Sequence, residues 1–425
     1  MNNRRPNLLL VFSDPQSWDM LGCYGNASIQ TPHLDRFAES AVRFNHCVAN
    51  APVCTPSRGI LLSGPHPLRN GAVFNDWQML PGNGDYFAER LHAACYRTGY
   101  IGKWHLYGGD RDRSIPAGPL RYGFHDRFLS NHCALEFRAV ESHYWSEDGE
   151  RLYYDKWEPD AQTDHALDFI DACERDYPDR PWALFVSWHA PHNCVKPGDD
   201  SRPSGYCYDA PQSCMDRYDP ETISLRPIHE DNDTFRRMYH GCYALCSNLD
   251  DNFQRLRTRI EQSNAEHDTV TVYTLDHGDR LEYRHGELGH KRNPKSTSSR
   301  VPLLLRAPGF DPRVSDLLVG TLDPMPTLLS LLDVKPPETC DGTDLATAIR
   351  EADDQAVASQ PLWMSSPQGC DWRGVYTQQH PFSFGASADF QMLFDRDAEP
   401  WETHNRHGDD AYAGIQRELH DLTRS

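Results

Sequence analysis

The sequence predicts an α/β fold with a large, mostly parallel central sheet flanked by helices, followed by a small C-terminal α/β subdomain. Short apolar runs bounded by turn residues recur along the chain, with helical patterns between them. The runs are almost continuously apolar, which is typical of strands buried on both faces of a parallel sheet. From about residue 350 the pattern changes to short strand-like pieces and turns. We therefore expect a large domain over residues 1–350 and a subdomain with short antiparallel strands and a final helix over residues 351–425.

Five runs rich in Val, Leu, Phe or Tyr are predicted to be buried strands, because each is short, apolar and bounded by turn residues. They span residues 7–14, 97–106, 181–192, 268–279 and 301–309. The predicted helices lie at about residues 33–48, 57–64, 84–96, 161–176, 233–262, 324–333 and 409–424. The segment 194–232 is rich in Pro, Asp and Cys and lacks periodicity, so it is predicted to be a long loop beside a functional site, or an insertion.

The charge balance narrows the classes of partner. The chain has 425 residues and a formal net charge of −20, from 62 acidic against 42 basic residues. Nucleic acids and anionic membrane surfaces attract basic proteins, so neither is expected as a partner. An anionic substrate would need a local positive cluster, because the overall field repels it. No stretch of 18 apolar residues occurs, so no transmembrane helix is expected.

The N-terminal residues predict a cytoplasmic location for the chain as written. Residues 1–6 lead directly into the first predicted strand. The apolar run there is too short for the hydrophobic region of a signal peptide, and no small-residue cleavage site follows it. A periplasmic or secreted location is the alternative, if a signal peptide has been removed.

Charged or imidazole side chains follow four of the predicted strands, at the edge where functional groups gather in open α/β sheets. These side chains are Asp14, Lys103, His105, His189, His192, Asp276 and His277. Two aspartates that converge at one sheet edge repel each other unless a cation lies between them, so Asp14 and Asp276 predict a divalent metal site. The alternative is that Asp14 caps the helix that follows it.

Basic side chains are predicted to surround this metal. Lys103 and His105 alternate in the sequence, so both would face the same side of an extended segment. Lys291 and Lys295 follow the second aspartate. Lysine suits tetrahedral oxyanions, and a histidine beside a bound anion can donate a proton. A carboxylate-bound divalent ion ringed by Lys, Arg and His therefore predicts a site for a sulfate or phosphate ester.

The hexapeptide Cys-Thr-Pro-Ser-Arg-Gly at residues 54–59 has two interpretations. It can be an idle thiol at the start of a helix, where Pro56 is tolerated in the first turn. It can also be the source of a nucleophile that is made by modifying Cys54. The residues at the strand ends favour the second interpretation, because they predict an anion site for such a nucleophile to attack.

A series of short motifs gives the chain a resemblance to the type I sulfatases of the alkaline-phosphatase-like superfamily, over essentially its full length. Residues 54–59 match the C-x-P-S-R signature, which a maturase recognises when it oxidises the cysteine to formylglycine. The other matching segments are PNLLLVFSDPQSWDMLGCYGN, GYIGKWHL, SWHAPH, YTLDHGD, LDPMPTLLSLL, CDGTDL and, in imperfect form, MLFDRDAEPWETHN. The resemblance implies a sulfatase-like fold and the hydrolysis of a sulfate ester.

The resemblance also implies how the nucleophile and the metal are arranged. A formylglycine-generating maturase would convert Cys54, and the hydrated aldehyde would attack the sulfur atom of the ester. Arg58 lies one helical turn later and would offset the charge of this nucleophile, while His105 would accept a proton from the hydrate. The metal, with calcium as the expected ion, would be held by Asp14, the modified Cys54, Asp276 and His277.

The same resemblance assigns the groups that would bind and protonate the substrate. Lys103 and Lys291 would hold the sulfate oxygens, with Lys295 as the alternative to Lys291. His192 would be the general acid on the leaving alcohol, with His189 as its alternative. The expected substrate is a sulfated mono- or oligosaccharide, or another small sulfate ester, since the net charge argues against a long polyanion. The oligomeric state is left open.

Two departures from the family pattern keep other functions open. The position after Asp14, which in the family commonly carries a second metal-binding side chain, is Pro15, so Gln16 or a water molecule would have to replace that ligand. This departure is the basis for the alternative of a non-catalytic protein that binds sulfated glycans. His277 stands where many sulfatases have asparagine, and relatives that cleave phosphonate monoesters and phosphodiesters share the histidine. A phosphonate monoester or phosphodiester hydrolase is therefore the second alternative.

Overall fold

The centre of the structure consists of β-strands. The structure is a computed structural model, and it describes residues 5–146, 148–194, 208–263, 265–284, 287–289, 291–367 and 371–423. The strands are β1 (Asn7–Asp14), β2 (Val42–Val48), β3 (Arg97–Gly102), β4 (Arg127–Leu129), β5 (His143–Trp145), β6 (Arg151–Tyr153), β7 (Trp182–Pro191), β8 (Thr269–Leu275), β9 (Glu282–Arg284), β10 (Glu287–Gly289), β11 (Arg300–Arg306), β12 (Arg313–Gly320), β13 (Gln360–Met364), β14 (Trp372–Tyr376), β15 (Pro381–Gly385) and β16 (Met392–Leu393).

Eight of these strands form the central sheet, in the order β12–β2–β11–β8–β1–β7–β3–β4. Within the described strands, β11 alone runs antiparallel to its neighbours, and every other pair in this sheet is parallel. All eight residues of β1 are buried, because β1 pairs with β7 on one side and β8 on the other. The predicted large, mostly parallel central sheet is confirmed.

Helices fill the connections between the strands. They are α1 (Pro32–Glu39), α2 (Cys54–Ser63), α3 (Pro67–Asn70), α4 (Phe87–Ala93), α5 (Glu158–Asp176), α6 (Gln212–Met215), α7 (Asp233–Gln262), α8 (Ser296–Ser299), α9 (Pro324–Leu331), α10 (Ala346–Glu351) and α11 (Ala413–Leu422). The helices α5 and α7 pack against each other and against β7. Of the helices in the described ranges, none is long and apolar enough to cross a membrane.

A four-stranded antiparallel sheet, β13–β14–β15–β16, forms a small C-terminal subdomain. The helix α11 packs on this sheet through Leu419, which contacts a cluster that includes Val375 and Phe382. The other face of the sheet is joined to the central sheet by a shared apolar cluster that contains Trp372 and Val48. The two sheets are thus held together by burial of common apolar surface.

The helix predicted at residues 33–48 is wrong in its second half. The helix α1 ends at Glu39, and residues 42–48 form β2, between β11 and β12. Val42 and Phe44 are buried in the sheet, where β-branched and aromatic side chains pack well, and pairing on both sides outweighs the helical pattern. The strands β4 and β12 also join the sheet, although the pattern of apolar runs does not predict them.

The strand predicted at residues 97–106 ends early, at Gly102. Gly102 has a φ of +113°, and a Cβ atom there would collide with the carbonyl oxygen of Ser187. His105 also has a positive φ, of +58°. The expectation that Lys103 and His105 alternate along an extended segment is therefore wrong: Lys103 directly follows the strand, whereas loop geometry places His105.

The predicted loop at residues 194–232 is described only in part, because residues 195–207 lie outside the described residues. The described part contains α6 and a short 3₁₀ turn at Pro220–Thr222.

Candidate active site

The carboxyl ends of four neighbouring strands bring predicted residues to one edge of the central sheet. Asp14 ends β1, and Asp276 and His277 directly follow β8. Lys103 directly follows β3, and His189 lies near the end of β7. Because β8, β1, β7 and β3 are adjacent and parallel, these side chains converge although they are far apart in the sequence.

Cys54 lies at the centre of this convergence. It is the first residue of α2, and all ten residues of that helix are buried. The Cys54 Sγ lies 2.8 Å from Lys291 Nζ, 3.2 Å from His277 Nε2, and 3.5 Å from both Lys103 Nζ and Asp14 Oδ1. The helix N-terminus adds positive potential at the same point. An idle thiol does not account for a buried sulfur atom with four polar neighbours.

Arg58 lies one turn further along α2 and joins the two aspartates. Its side chain is fully buried. Arg58 Nε lies 3.0 Å from Asp276 Oδ2, and Arg58 Nη2 lies 3.2 Å from Asp14 Oδ2. The guanidinium thus holds one oxygen atom of each carboxylate, and the other oxygen atom, Oδ1, lies on the side of His277.

Four potential metal ligands form a buried cluster, in which one donor atom from each residue lies within 4.8 Å of the others. These residues are Asp14, Cys54, Asp276 and His277. His277 Nδ1 lies 2.8 Å from the carbonyl oxygen of Gly278, so Nδ1 carries the hydrogen and Nε2 directs its lone pair into the cluster. His277 Nε2 lies 3.5 Å from Asp14 Oδ1 and 3.8 Å from Asp276 Oδ1. Two carboxylate oxygens and an imidazole nitrogen are suitable ligands for a divalent cation, so the donor set fits a metal ion.

The two aspartates of this cluster differ in their acidity. Burial raises the pKa of Asp14, but Lys103 and Arg58 outweigh burial and hold that pKa well below its usual value. Lys103 forms a buried ion pair with Asp14. Burial and the charge of Asp14 raise the pKa of Asp276 to about 7. A divalent cation between the two carboxylates would remove this repulsion and favour the ionised form of both.

The structure separates the two lysines that follow the second aspartate. Lys291 Nζ lies 2.8 Å from Cys54 Sγ and 3.2 Å from His277 Nε2. Lys295 Nζ lies instead 5.3 Å from the centre of the Phe394 ring, in the C-terminal subdomain. Of the two alternatives left open by the sequence, Lys291 is the one that faces Cys54.

His105 belongs to a network that the sequence analysis does not identify. Its Nε2 lies 2.9 Å from Asp76 Oδ1, and Arg111 forms two hydrogen bonds of 2.8 Å with the same carboxylate. Burial opposes the charged imidazole, but Cys133, Asp76 and Cys54 raise the pKa of His105 to about 10. Asp76 and Arg111 lie in irregular segments, where no periodicity marks them as functional.

The pKa values of the two histidines at the end of the β7 segment are both lowered. His189 is buried, with its Nδ1 3.2 Å from the carbonyl oxygen of Ala134, and burial holds its pKa well below the usual value. His192 is half-buried, and burial together with Lys291 lowers its pKa to about 3. The two ring centres are 5.5 Å apart. A bound anion beside either ring would favour the imidazolium and make it a proton donor.

Gln16 does not supply the ligand that is missing at Pro15. Its Oε1 accepts hydrogen bonds from Ser13 Oγ, at 3.2 Å, and from Tyr273 Oη, at 3.0 Å. Its Nε2 donates to the carbonyl oxygen of Met20, at 2.8 Å. Both acceptor positions of Oε1 are thus used away from the cluster, so the suggestion that Gln16 replaces the missing ligand is wrong for this structure.

Comparisons with known protein families match the whole described fold. A family model described as Sulfatase matches residues 6–334. A second model, described as N-sulphoglucosamine sulphohydrolase, C-terminal, matches residues 285–424. The Ulvan-active sulfatase of Formosa agariphila is 29% identical to this chain over 425 residues, which cover 98% of this chain and 80% of that protein.

Solved structures share the fold over nearly the full length. The crystal structure of yidJ from Bacteroides fragilis, a protein assigned as a sulfatase, has a TM-score of 0.85 and 24% identity, and the match covers 99% of this chain and 95% of that one. The structure of BT4656 in complex with its substrate, D-glucosamine-2-N,6-O-disulfate, has a TM-score of 0.75 and 22% identity, with 99% and 97% of the two chains covered. The phosphonate monoester hydrolase from Silicibacter pomeroyi has a TM-score of 0.71 and 19% identity, with 99% and 94% covered.

Proposed function

The chain belongs to the sulfatase family of sulfuric ester hydrolases, and we propose that it hydrolyses a sulfate ester on a small carbohydrate, with a formylglycine made from Cys54 and a bound calcium ion. One observation carries this proposal. Cys54 lies at the buried start of α2, with Lys103, Lys291 and His277 all within 3.5 Å of its sulfur atom.

The metal would be held by the oxygens of Asp14 and Asp276 that Arg58 does not bind, by His277 Nε2 and by the modified side chain at position 54. A bound divalent cation lowers the pKa of a hydroxyl nucleophile and stabilises negative charge at the reacting centre. Arg58 keeps the two carboxylates in place, since it forms an ion pair with each of them. Calcium suits the two carboxylates and the flexible coordination of such a site.

The chain's own cations account for the binding of the sulfate group. Lys103 and Lys291 approach the sulfur atom of Cys54 from different segments, so a tetrahedral oxyanion bound there would contact both ammonium groups. Their local positive charge overcomes the overall negative field of the protein. His192 would protonate the leaving alcohol, because the negative charge of the bound ester favours its imidazolium form.

His105 would manage the proton of the nucleophile. Its Nε2 is held by Asp76, and Cys133 and Cys54 also lie close enough to the imidazole to raise its pKa. Conversion of Cys54 would remove one of the acidic groups that raise the pKa of His105, and a lower pKa makes the neutral, proton-accepting imidazole more accessible.

Sulfated sugars are the proposed substrates because proteins similar to this chain act on sulfated carbohydrates. One of these is an Ulvan-active sulfatase, and the structure of another protein with the same fold contains D-glucosamine-2-N,6-O-disulfate as its substrate. The net charge of −20 disfavours a long polyanion and favours a mono- or oligosaccharide.

Hydrolysis of a phosphonate monoester is the second candidate function. The imidazole of His277 in the metal cluster supports it, as does the fold shared with a phosphonate monoester hydrolase. Parallel assays with aryl sulfate and aryl phosphonate esters separate the two candidates. A specificity ratio that favours the phosphonate by orders of magnitude would replace the sulfatase proposal.

Peptide mass spectrometry after co-expression with a maturase tests the proposed nucleophile. We expect the peptide that contains Cys54 to lose the mass difference between a thiol and an aldehyde, and the converted fraction to correlate with hydrolysis of sulfate esters. The Cys54→Ser variant is the control, and equal hydrolysis by this variant and the wild type would exclude the formylglycine proposal.

A further inference from the structure

The closing motif of the sequence, MLFDRDAEPWETHN, contains an acidic residue that the proposed chemistry does not use. Glu402 is only 2% exposed, although it lies near the end of the chain. Its backbone has a φ of +53°, an uncommon conformation for a residue other than glycine. A buried carboxylate in an uncommon conformation needs a partner that justifies its placement.

That partner is the first residue of α8. The backbone N–H of Ser296 donates to Glu402 Oε2 at 2.7 Å, and the Ser296 hydroxyl donates to Glu402 Oε1. The Ser296 hydroxyl also contacts the Tyr376 hydroxyl at 3.1 Å, and Arg396 in turn contacts Tyr376 at 2.6 Å. Glu402, Tyr376 and Arg396 all belong to the C-terminal subdomain, so that subdomain fixes the start of α8.

The short helix α8 also contacts the loop that carries His277. The Gly278 N–H, next to His277, donates to the carbonyl oxygen of Ser298 at 2.8 Å. A Cβ atom at Gly278 would collide with the carbonyl oxygen of Thr297, so the loop after β8 lies directly against α8. A shift of α8 would therefore displace the loop that carries His277.

The segment before α8 carries Lys291 and is held at the next residue, Arg292, by two hydrogen bonds. The Arg292 N–H donates to the carbonyl oxygen of Pro52 at 3.2 Å, two residues before Cys54. Trp372 Nε1, from the C-terminal subdomain, donates to the carbonyl oxygen of Arg292 at 3.0 Å. Lys291 thus reaches Cys54 from a segment that is fixed by the C-terminal subdomain on one side and by the segment before α2 on the other.

We propose that Glu402 is a positioning residue of the active site: by holding the start of α8, it sets where Lys291 Nζ lies relative to Cys54. This inference rests on the proposed role of Lys291 in binding the sulfate group. The inference assigns to the C-terminal subdomain a function at the oxyanion site, although Glu402 is neither a proposed metal ligand nor a proposed substrate-binding residue.

Binding of inorganic sulfate to the converted, calcium-loaded protein tests this role by isothermal titration calorimetry. Removal of the ammonium group in Lys291→Ala is expected to weaken sulfate binding by roughly tenfold or more. Glu402→Ala is expected to weaken it by roughly three- to tenfold. The double variant should bind sulfate about as weakly as Lys291→Ala alone, because residues that act through one another are not additive.

Two further variants keep the test independent of folding failures. Glu402→Gln retains groups that can bond Ser296 and should restore most of the sulfate affinity lost in Glu402→Ala. Ser296→Ala removes the hydroxyl bond but keeps the backbone bond, so it should have a smaller effect. Glu399→Ala is the matched control, since Glu399 lies in the same segment and bonds His404 rather than α8, and it should change sulfate affinity by less than about twofold.

The possible outcomes separate this inference from the proposed function. If Lys291→Ala weakens sulfate binding but folded Glu402→Ala does not, the positioning role is wrong and the proposed function stands; if Glu402→Ala does not fold, unchanged sulfate affinity in Ser296→Ala decides the same way. Multiplicative losses in the double variant would likewise overturn the positioning role. If Lys291→Ala leaves sulfate affinity unchanged, the proposed oxyanion site fails, and the positioning role fails with it.

Discussion

Asp14, Lys103 and Asp276 stand at the ends of neighbouring parallel strands, whereas Asp76 and Lys291 reach the same site from irregular segments. The sheet itself places the first group, because adjacent parallel strands must end at one edge. Hydrogen bonds between distant segments place the second group, and these bonds are individually weak and replaceable. The comparison teaches that the cluster of acidic side chains is built into the core, whereas the positions of Lys291 and His105 depend on hydrogen bonds between distant segments.

The substitution Asp14→Asn, at the end of β1, is expected to have the largest effect on stability and on calcium binding. The substitution removes the charge that faces Arg58 and Lys103, both buried. Loss of one partner of a buried ion pair costs about 3–5 kcal/mol of the free energy of unfolding, and calcium affinity should fall by more than about 100-fold. Urea denaturation and calcium titration measure the two changes.

An exposed aspartate supplies the control for Asp14→Asn. Asp171 on α5 is half-exposed and forms an ion pair with Arg259. Exposed ion pairs contribute only about 0–1 kcal/mol, so Asp171→Asn should leave calcium binding unchanged and stability nearly so. Equal losses in the two variants would show that the strand-end site is not a special part of the core.

The difference between residues placed by the sheet and residues placed by hydrogen bonds between distant segments also decides what the sequence could predict. The strand at residues 7–14 and the helix at residues 233–262 are observed with the predicted bounds, because residues 8–12 form a continuous apolar run and α7 is long and periodic. The segment 42–48 is a strand instead of a helix, because pairing with β11 and β12 overrides its local pattern. The contacts of Asp76 and Glu402 are formed with segments far away in the sequence, so no local pattern indicates them.

A smaller effect on activity is expected when the ammonium group of Lys291, which lies in an irregular segment, is removed. Lys295 provides a matched control. Lys291→Ala removes the ammonium group 2.8 Å from Cys54 Sγ, whereas Lys295→Ala removes one that lies against Phe394. The KM for an aryl sulfate should rise roughly 10- to 100-fold in the first variant and less than about twofold in the second. Steady-state kinetics of both variants provide the measurement, and a larger effect at Lys295 would reverse the assignment of the two lysines.

The substitution Asp76→Asn, in the network of Asp76, His105 and Arg111, is expected to have the smallest effect on activity. Asp76 contributes to the raised pKa of His105, so its neutralisation lowers that pKa, and the pH at which His105 loses its proton moves downward. The amide can still accept a hydrogen bond, so His105 should keep its place, and we expect the rise of kcat with pH to move to lower pH with little change in KM. The pH dependence of kcat and a titration of His105 by NMR measure these changes. Asp112→Asn is the matched control, because Asp112 likewise bonds one histidine and one arginine, His143 and Arg151. If the two variants have equal pH profiles, Asp76 acts only as a structural ion pair. Of the two residues that reach the site from irregular segments, only Lys291 would then have a role in the reaction.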